Sequence, residues 1–155
     1  MEMETKKSAS YAFFEQQLKI GHMYELMAQK RVTEYYKNKW TVTEECIDRK
    51  YDFALSNNKT YEVKADLLAS KTGKIFIENI QFWKPSCIDT TKADFYIIIL
   101  VTSTVFFQVV TYLKIPVKRI VKLIKDKKFV RYYESSAKCG YLFETHTIID
   151  SSRVI

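Results

Sequence analysis

The sequence predicts a single α/β domain in which helices flank a mixed central β-sheet. Three observations support this fold class. Apolar residues recur at helical spacing in the N-terminal quarter, short runs rich in β-branched and aromatic residues follow, and a second helical pattern begins after Pro116. The 155 residues, 47% of them hydrophobic, suit one folded domain with a sizeable core. We expect a polar tail over residues 1–9 and the domain over residues 10–155.

The first predicted element is a long helix from residue 10 to about residue 38, with Ser10 as its N-cap. One stripe of this helix follows a spacing of three and four residues: Tyr11, Phe14, Leu18, Gly21, Glu25, Ala28, Val32 and Tyr35. Glu25 interrupts the stripe, and a buried carboxylate is costly without a cation, a metal or hydrogen bonds. Gly21 would let another element approach closely. Alternatively, the stripe turns outward near Glu25 and the carboxylate is solvated.

Six strand patterns follow the helix. They cover residues 40–47, 50–56, 59–66, 73–82, 94–102 and 104–113. The fifth is apolar on both faces, which predicts a central position in the sheet. Residues 89–93 predict a polar connection or a short helix. Pro116 then precedes a helical pattern over residues 117–128, and residues 139–149 predict a last strand or extended segment.

The second and third strands form a predicted hairpin that carries charges of both signs. Side chains alternate between the two faces of a strand, so Glu62 and Lys64 share one face of the third strand. A two-residue turn would pair Asp52 with Val63, whereas a three-residue loop over residues 56–58 pairs Asp52 with Glu62. We expect the three-residue loop, because it ends on a left-handed residue and asparagine tolerates that conformation.

This register would make the hairpin a cation site. Facing carboxylates of Asp52 and Glu62 repel each other unless a cation lies between them. Mg²⁺ prefers one or two carboxylates, a carbonyl and waters, and the Val63 carbonyl is a candidate further ligand. Such an ion activates water and stabilises a phosphoryl transition state, and Lys64 would neutralise phosphate charge or orient the water. The alternative is a salt-bridge patch on a solvated strand face.

At these residues the chain resembles the PD-(D/E)xK nuclease superfamily. Asp52 matches the acidic residue of the family, and "EVK" supplies its (D/E)-x-K element as Glu62 and Lys64. The sequence "GHMYE", which ends at Glu25, is similar to the G-x-x-x-E of archaeal Holliday-junction-resolvase-like members. Tyr51 stands where the family has a proline.

The resemblance extends over residues 21–100. The stretch from "YEVKAD" to "CIDTTKADFYI" is similar to small phage and viral nuclease-like proteins, although Trp83 and Cys87 replace glycines of that pattern. The resemblance implies a restriction-endonuclease-like fold. It also implies hydrolysis of DNA phosphodiester bonds that depends on Mg²⁺, for which Mn²⁺ can substitute.

The resemblance also assigns roles to individual residues. Asp52 and Glu62 would bind the metal, and Glu25 would complete the acidic cluster, for a second ion or through water. Lys64 would stabilise the transition state. Glu78, on a neighbouring strand, would contact the metal-binding residues without binding the metal itself, or would be a charge on a strand edge.

The charge of the chain indicates an anionic partner. The formal net charge is +7 and the isoelectric point about 9.2, which suits nucleic acid, an anionic membrane or an acidic protein, or serves solubility alone. The apolar run over residues 95–101 is too short for a membrane span. The residues expected to contact phosphates are Lys71, Lys74, Lys84, Ser86 and Lys92. The basic residues expected to form a solvated helix face or a second DNA contact are Lys118, Arg119, Lys122, Lys125, Lys127, Lys128 and Arg131.

The cysteines and histidines indicate neither zinc nor disulfides. Cys46, Cys87 and Cys139 are widely spaced, and His22 and His146 stand alone. We therefore expect an intracellular, reducing location, either cytoplasm or nucleus, in the host cell if the source is viral.

Four functions remain open at this point. The first is a metal-dependent DNA endonuclease. The others are a Holliday-junction or branched-DNA resolvase acting as a homodimer, a catalytically silent nucleic-acid-binding module, and an RNA-directed nuclease. No separate recognition domain is visible, which favours recognition of shape or backbone over sequence.

Overall fold

The computed structural model describes residues 2–45, 50–103 and 108–155. The helices are α1 (Glu2–Tyr35), α2 (Ala69–Thr72), α3 (Val117–Lys125) and α4 (Thr145–Asp150). The strands are β1 (Val42–Glu45), β2 (Phe53–Leu55), β3 (Thr60–Asp66), β4 (Lys74–Gln81), β5 (Lys84–Pro85), β6 (Phe95–Ser103), β7 (Gln108–Pro116), β8 (Arg131–Glu134), β9 (Lys138–Glu144) and β10 (Arg153–Val154). Cys46, the end of the first predicted strand and the beginning of the sixth lie outside the described residues, as do the side chains of Tyr11 and Phe14.

The main sheet has six strands in the order β1-β2-β3-β6-β7-β10. Strands β3 and β6 run parallel, and every other described pair in this sheet is antiparallel, so the sheet is mixed as predicted. Strand β6 lies between β3 and β7, and its residues Ile97, Ile98 and Ile99 are fully buried. The central position expected from its apolar faces is confirmed.

A second, antiparallel sheet has the order β5-β4-β9-β8. The sequence did not predict it, because β4 reads locally like any other strand and its partner β9 lies far along the chain. The predicted extended segment over residues 139–149 is β9 followed by α4, and β8 was missed. The segment 89–93 is a polar connection after a short 3-10 turn at Cys87–Asp89, as expected.

Two apolar clusters lie on opposite faces of the main sheet. Tyr96 and Ile98 of β6 point to a cluster that includes β4, β9, α3 and α4. Ile97, Ile99 and Val101 point to a cluster with β2, β3 and helix α1. Helix α1 thus covers one face, and the second sheet with α3 and α4 covers the other, in a single compact domain.

Helix α1 differs from its prediction at both ends and in the first half of its stripe, whereas Ala28 and Val32 of the stripe are buried as expected. It begins at Glu2, so Ser10 is not its N-cap and no extended tail precedes residue 10 in the described chain. Tyr24, Ala28 and Val32 are buried, whereas Leu18 is 54% exposed. A side chain built at Gly21 would meet no atom within 4 Å, so the close approach predicted there is wrong.

The helix after Pro116 is confirmed. Helix α3 buries Ile120 and Leu123, and Val117, Val121 and Ile124 pack against the same cluster. None of the helices in the described part of the chain combines the length and apolarity that a bilayer span needs.

Candidate functional site

The β2–β3 hairpin has the predicted three-residue loop. The Leu55 N–H donates to the Lys59 carbonyl at 2.9 Å, and the Asn58 N–H donates to the Leu55 carbonyl at 2.9 Å. Asn58 has a φ of 63°, the left-handed conformation that this loop requires at its end. The strand register, with Phe53 opposite Tyr61 and Ala54 opposite Thr60, is the one that the three-residue loop predicts.

Asp52 directly precedes β2, and the charge of its carboxylate raises the pKa of Glu62, so the two side chains lie close to each other. The Asp52 N–H donates to the Tyr61 carbonyl at 2.8 Å, and the Asp52 carboxylate accepts the Val63 N–H at 2.6 Å. Carbonyl groups of alternate residues point to the same edge of a strand. The Val63 carbonyl therefore faces the same edge of β3 as the Tyr61 carbonyl, which is the edge beside Asp52. Glu62 accepts a hydrogen bond from the Thr91 hydroxyl at 3.1 Å. A backbone N–H therefore orients the Asp52 carboxylate, and a side-chain hydroxyl orients that of Glu62.

Burial and mutual repulsion raise the proton affinity of the two carboxylates. Burial, together with the smaller effect of the Glu25 charge, raises the pKa of Asp52 to about 6, although the Val63 hydrogen bond lowers it. Burial also raises the pKa of Glu62 to about 8. The charge of Asp52 is the second largest cause of this increase, whereas the Thr91 hydrogen bond and the Lys64 charge lower the pKa. The pair is therefore deficient in positive charge, which a bound cation would supply.

Glu25 lies close enough to influence both carboxylates. Its side chain is 35% exposed, and its Oε2 lies 3.4 Å from Nδ1 of His22. In the described chain, no three His, Cys, Asp or Glu side chains lie together in a group that could hold a metal ion. Glu25 is thus partly exposed, neither buried in the helix stripe nor fully solvated. It does not complete a set of metal ligands with Asp52 and Glu62.

The oxygen atoms present nevertheless suit a hard divalent cation. Asp52, Glu62 and the Val63 carbonyl supply carboxylate and carbonyl oxygens, which Mg²⁺ prefers together with water. No sulfur or imidazole ligand from the described residues completes such a set. The donors therefore fit Mg²⁺ or Mn²⁺ better than zinc.

Lys64 and Asp66 follow Glu62 on the same face of β3 but differ in role. The Lys64 ammonium lies 5.6 Å from the centroid of the Phe76 ring, and its charge lowers the pKa of Glu62. Asp66 is 8% exposed, and its carboxylate accepts N–H groups of Leu68 at 3.0 Å, Ala69 at 2.8 Å and Phe76 at 3.3 Å. Asp66 is therefore a structural residue that fixes the chain between β3 and β4.

Glu78 lies in the interior, so its alternative interpretation as a charge on a strand edge is wrong. It is 7% exposed on β4 and accepts hydrogen bonds from the Ser86 hydroxyl at 2.8 Å and the Cys87 thiol at 3.1 Å. The Ser86 hydroxyl, expected to contact phosphate, thus donates its proton to Glu78. Burial, followed by the charge of Glu78, raises the pKa of Cys87 to about 12, so the thiol stays protonated.

Tyr96 is a site residue that the sequence did not predict. It pairs with Glu62 across the parallel strands, is 2% exposed, and its buried hydroxyl has no hydrogen-bond partner among the described residues. Burial raises its pKa, and the charges of Cys87, Glu62, Asp52 and Glu78 raise it further. Its hydroxyl therefore lies close enough to both the Asp52–Glu62 pair and the Glu78 group to respond to their charges. The only sequence signal was a tyrosine in the central apolar run.

The predicted phosphate contacts lie on several elements. Lys71 is on α2, Lys74 begins β4 at 4.0 Å from Glu144, Lys84 begins β5, and Lys92 precedes β6. The basic residues of α3 line a different surface. A groove of about 850 Å³ there is lined by Lys59, Lys118, Lys122 and Lys125 among others, and it does not include Asp52, Glu62 or Lys64.

Comparison of this chain with models of known protein families, with curated proteins and with solved structures found no match.

Proposed function

We propose that the protein is a metal-dependent endonuclease that hydrolyses phosphodiester bonds of DNA. The observation that carries the proposal is the hairpin register. It brings Asp52 beside β3, where the Val63 N–H holds the Asp52 carboxylate, the Thr91 hydroxyl holds that of Glu62, and Lys64 lies on the same face as Glu62. Two partly buried, mutually repelling carboxylates destabilise a fold unless a cation binds them, which favours a binding role over a purely structural one.

In this proposal the chain holds the metal and the scissile phosphate in place. Asp52, Glu62 and the Val63 carbonyl would bind a divalent cation, which supplies an activated water and charge neutralisation when bound. The Val63 N–H fixes the Asp52 carboxylate, and the Thr91 hydroxyl fixes that of Glu62. Lys64 offsets the negative charge that develops on the phosphate oxygens.

Glu25 and Glu78 act at a distance in the same mechanism. Glu25 increases the negative potential at Asp52 and Glu62, which favours cation binding. Glu78, held by Ser86 and Cys87, adds negative charge on the other side of Tyr96. The basic surface of the chain would contact the DNA backbone and position it without reading sequence.

A cleavage assay tests the proposal. End-labelled duplex DNA, single-stranded DNA, four-way-junction DNA and RNA are incubated with Mg²⁺, with Mn²⁺ or with EDTA. We expect cleavage that needs a divalent cation and that falls at least about a hundredfold in Lys64→Ala, in line with the loss of one transition-state contact. Lys59→Ala, an exposed lysine in the same hairpin, is the matched control and should cleave as the wild type does.

The substrate panel separates the remaining functions. Preference for the four-way junction, with a dimer in solution, would indicate a resolvase, and preference for RNA an RNA-directed nuclease. Binding without cleavage of any substrate, equal in EDTA and in Lys64→Ala, would overturn the nuclease proposal in favour of a catalytically silent binding module.

A further inference from the structure

The tip of the β4–β5 hairpin carries two exposed aromatic side chains in an unusual conformation. Gln81 pairs with Lys84, so the turn between them consists of Phe82 and Trp83 alone. Phe82 has a φ of 47° and Trp83 a φ of 67°. Two consecutive left-handed residues define the tight hairpin turn that favours Asn-Gly, because side chains with a bulky Cβ substituent are disfavoured there.

Folding does not account for the aromatic residues at this turn. The Phe82 side chain is 66% exposed and that of Trp83 is 79% exposed, so neither contributes much to a core. The backbone conformation disfavours both, and water contact disfavours both. The turn is nevertheless well anchored, since the Phe82 N–H donates to the Ala137 carbonyl at 2.8 Å. An aromatic pair held outward at a conformational cost indicates a binding role.

Cationic side chains lie beside the tip and between it and the candidate site. Lys84 is exposed directly after Trp83, and Lys138 pairs with Gln81 on the neighbouring strand. The Lys138 ammonium lies 5.3 Å from the centroid of the Phe76 ring, and the Lys64 ammonium lies 5.6 Å from the same centroid. Positive charge therefore extends from the hairpin tip to the lysine of the proposed catalytic site.

We propose that Phe82 and Trp83 form a stacking platform for unpaired bases, so that the preferred ligand is nucleic acid with a single-stranded segment. Aromatic faces stack on bases of any sequence, while flanking lysines contact the phosphates. Bases within an intact duplex are already stacked on one another and do not offer their faces. Strand β4 leads from the tip back to Glu78. A nucleic-acid strand that is bound at the tip and extends along β4 would therefore reach the candidate site. Cleavage of the bound nucleic acid rests on the proposed function, whereas binding at the tip does not.

Trp83 provides a direct reporter of stacking. The chain has two tryptophans, and Trp40 lies elsewhere with the Lys39 ammonium 4.9 Å from its ring centroid. The variant Trp40→Phe leaves Trp83 as the single tryptophan, whose emission is excited at a wavelength that tyrosine does not absorb. It is titrated in EDTA, where no cleavage can occur, with labelled oligothymidylate and with duplex DNA of equal length. We expect saturable quenching of Trp83 emission by the oligothymidylate and clearly weaker quenching by the duplex.

The double variant Phe82→Asn/Trp83→Gly isolates the side chains from the turn. Asn-Gly suits the backbone conformation, so this variant should unfold at a melting temperature equal to or above that of the wild type. Loss of two stacked bases should weaken its binding to labelled oligothymidylate by roughly tenfold or more. Phe13→Ala, which removes an equally exposed aromatic residue from α1, is the control and should bind as the wild type does.

Several outcomes would overturn the inference. Oligothymidylate that binds without changing Trp83 emission would place stacking elsewhere, as would unaltered affinity in the double variant. A Trp83 emission shift with anionic lipid vesicles but not with oligothymidylate would assign the tip to a membrane surface. Self-association that the double variant abolishes, without any nucleic-acid binding, would assign it to a second copy of the chain.

The two proposals fail in distinguishable ways. Stacking that persists without any metal-dependent cleavage would refute the nuclease and keep the platform. Cleavage that persists, with single-strand binding unchanged in the double variant, would refute the platform and keep the nuclease.

Discussion

Replacing Glu62 with Gln should stabilise the metal-free protein at high pH. Glu62 has a pKa of about 8 in the folded state against 4.5 for the ordinary side chain, chiefly because it is buried and faces Asp52. The folded state therefore keeps a proton that the unfolded chain releases. The stability that protonated Glu62 contributes is fully present below pH 4.5. It declines as the pH rises and is lost above about pH 8.

The size of the effect follows from this difference in pKa. Each pH unit corresponds to about 1.4 kcal/mol, so the difference corresponds to roughly 5 kcal/mol as an upper limit. The site is not fully dry, and solvent reduces the interaction, so we expect Glu62→Gln to gain about 2–3 kcal/mol at pH 9. Gln can still accept the hydrogen bond from Thr91, so little should be lost at pH 5.

Urea unfolding in EDTA at pH 5, 7 and 9 measures the difference between the wild type and the variant. Comparing the two chains at each pH cancels the titration of other groups. Glu34→Gln is the control, because the Glu34 side chain is 46% exposed on α1, and it should change stability little at any pH. Equal stability of Glu62→Gln and the wild type at pH 9 would refute the claim that Asp52 and Glu62 repel each other in a buried site.

Three further substitutions test how the site is supported. Gly140→Ala should destabilise the fold by about 1–3 kcal/mol in urea unfolding, because its Cβ would lie 2.4 Å from the Ile77 carbonyl oxygen; wild-type stability would contradict the close strand approach. Asp66→Ala should cost about 2–3 kcal/mol, because one buried and two partly buried N–H groups lose their acceptor, and a loss below about 0.5 kcal/mol would show that the carboxylate is not needed. Asn58→Ala should cost about 1 kcal/mol at its φ of 63° while Asn58→Gly costs nothing; equal effects of the two would contradict the loop conformation.

The features predicted correctly from the sequence are those that local chemistry determines. The loop of the β2–β3 hairpin follows from the tolerance of Asn58 for the left-handed conformation, and this loop sets Phe53 opposite Tyr61, next to Asp52 and Glu62. The central position of β6 follows from apolar residues on both of its faces. In each case the residues that decide the structure lie within a few positions of one another.

The features missed depend on contacts between distant parts of the chain. Tyr96 faces the carboxylates only because β6 pairs with β3 in parallel, and periodicity does not reveal that register. Glu78 is buried because Ser86 and Cys87 fold back over it. The buried face of α1 follows the predicted stripe at Ala28 and Val32 but includes Tyr24 in place of Glu25, since the sheet below decides which side packs.

Binding of Mn²⁺ to the protein, measured by electron paramagnetic resonance, tests the central claim most directly. The account predicts saturable binding to the wild type at pH 8, strong weakening in Asp52→Asn and in Glu62→Gln, and unchanged binding in Glu34→Gln. Competition by Mg²⁺ should release the Mn²⁺. Absence of binding to the wild type, or equal binding to all four chains, would contradict the assignment of the Asp52–Glu62 pair as a divalent-cation site.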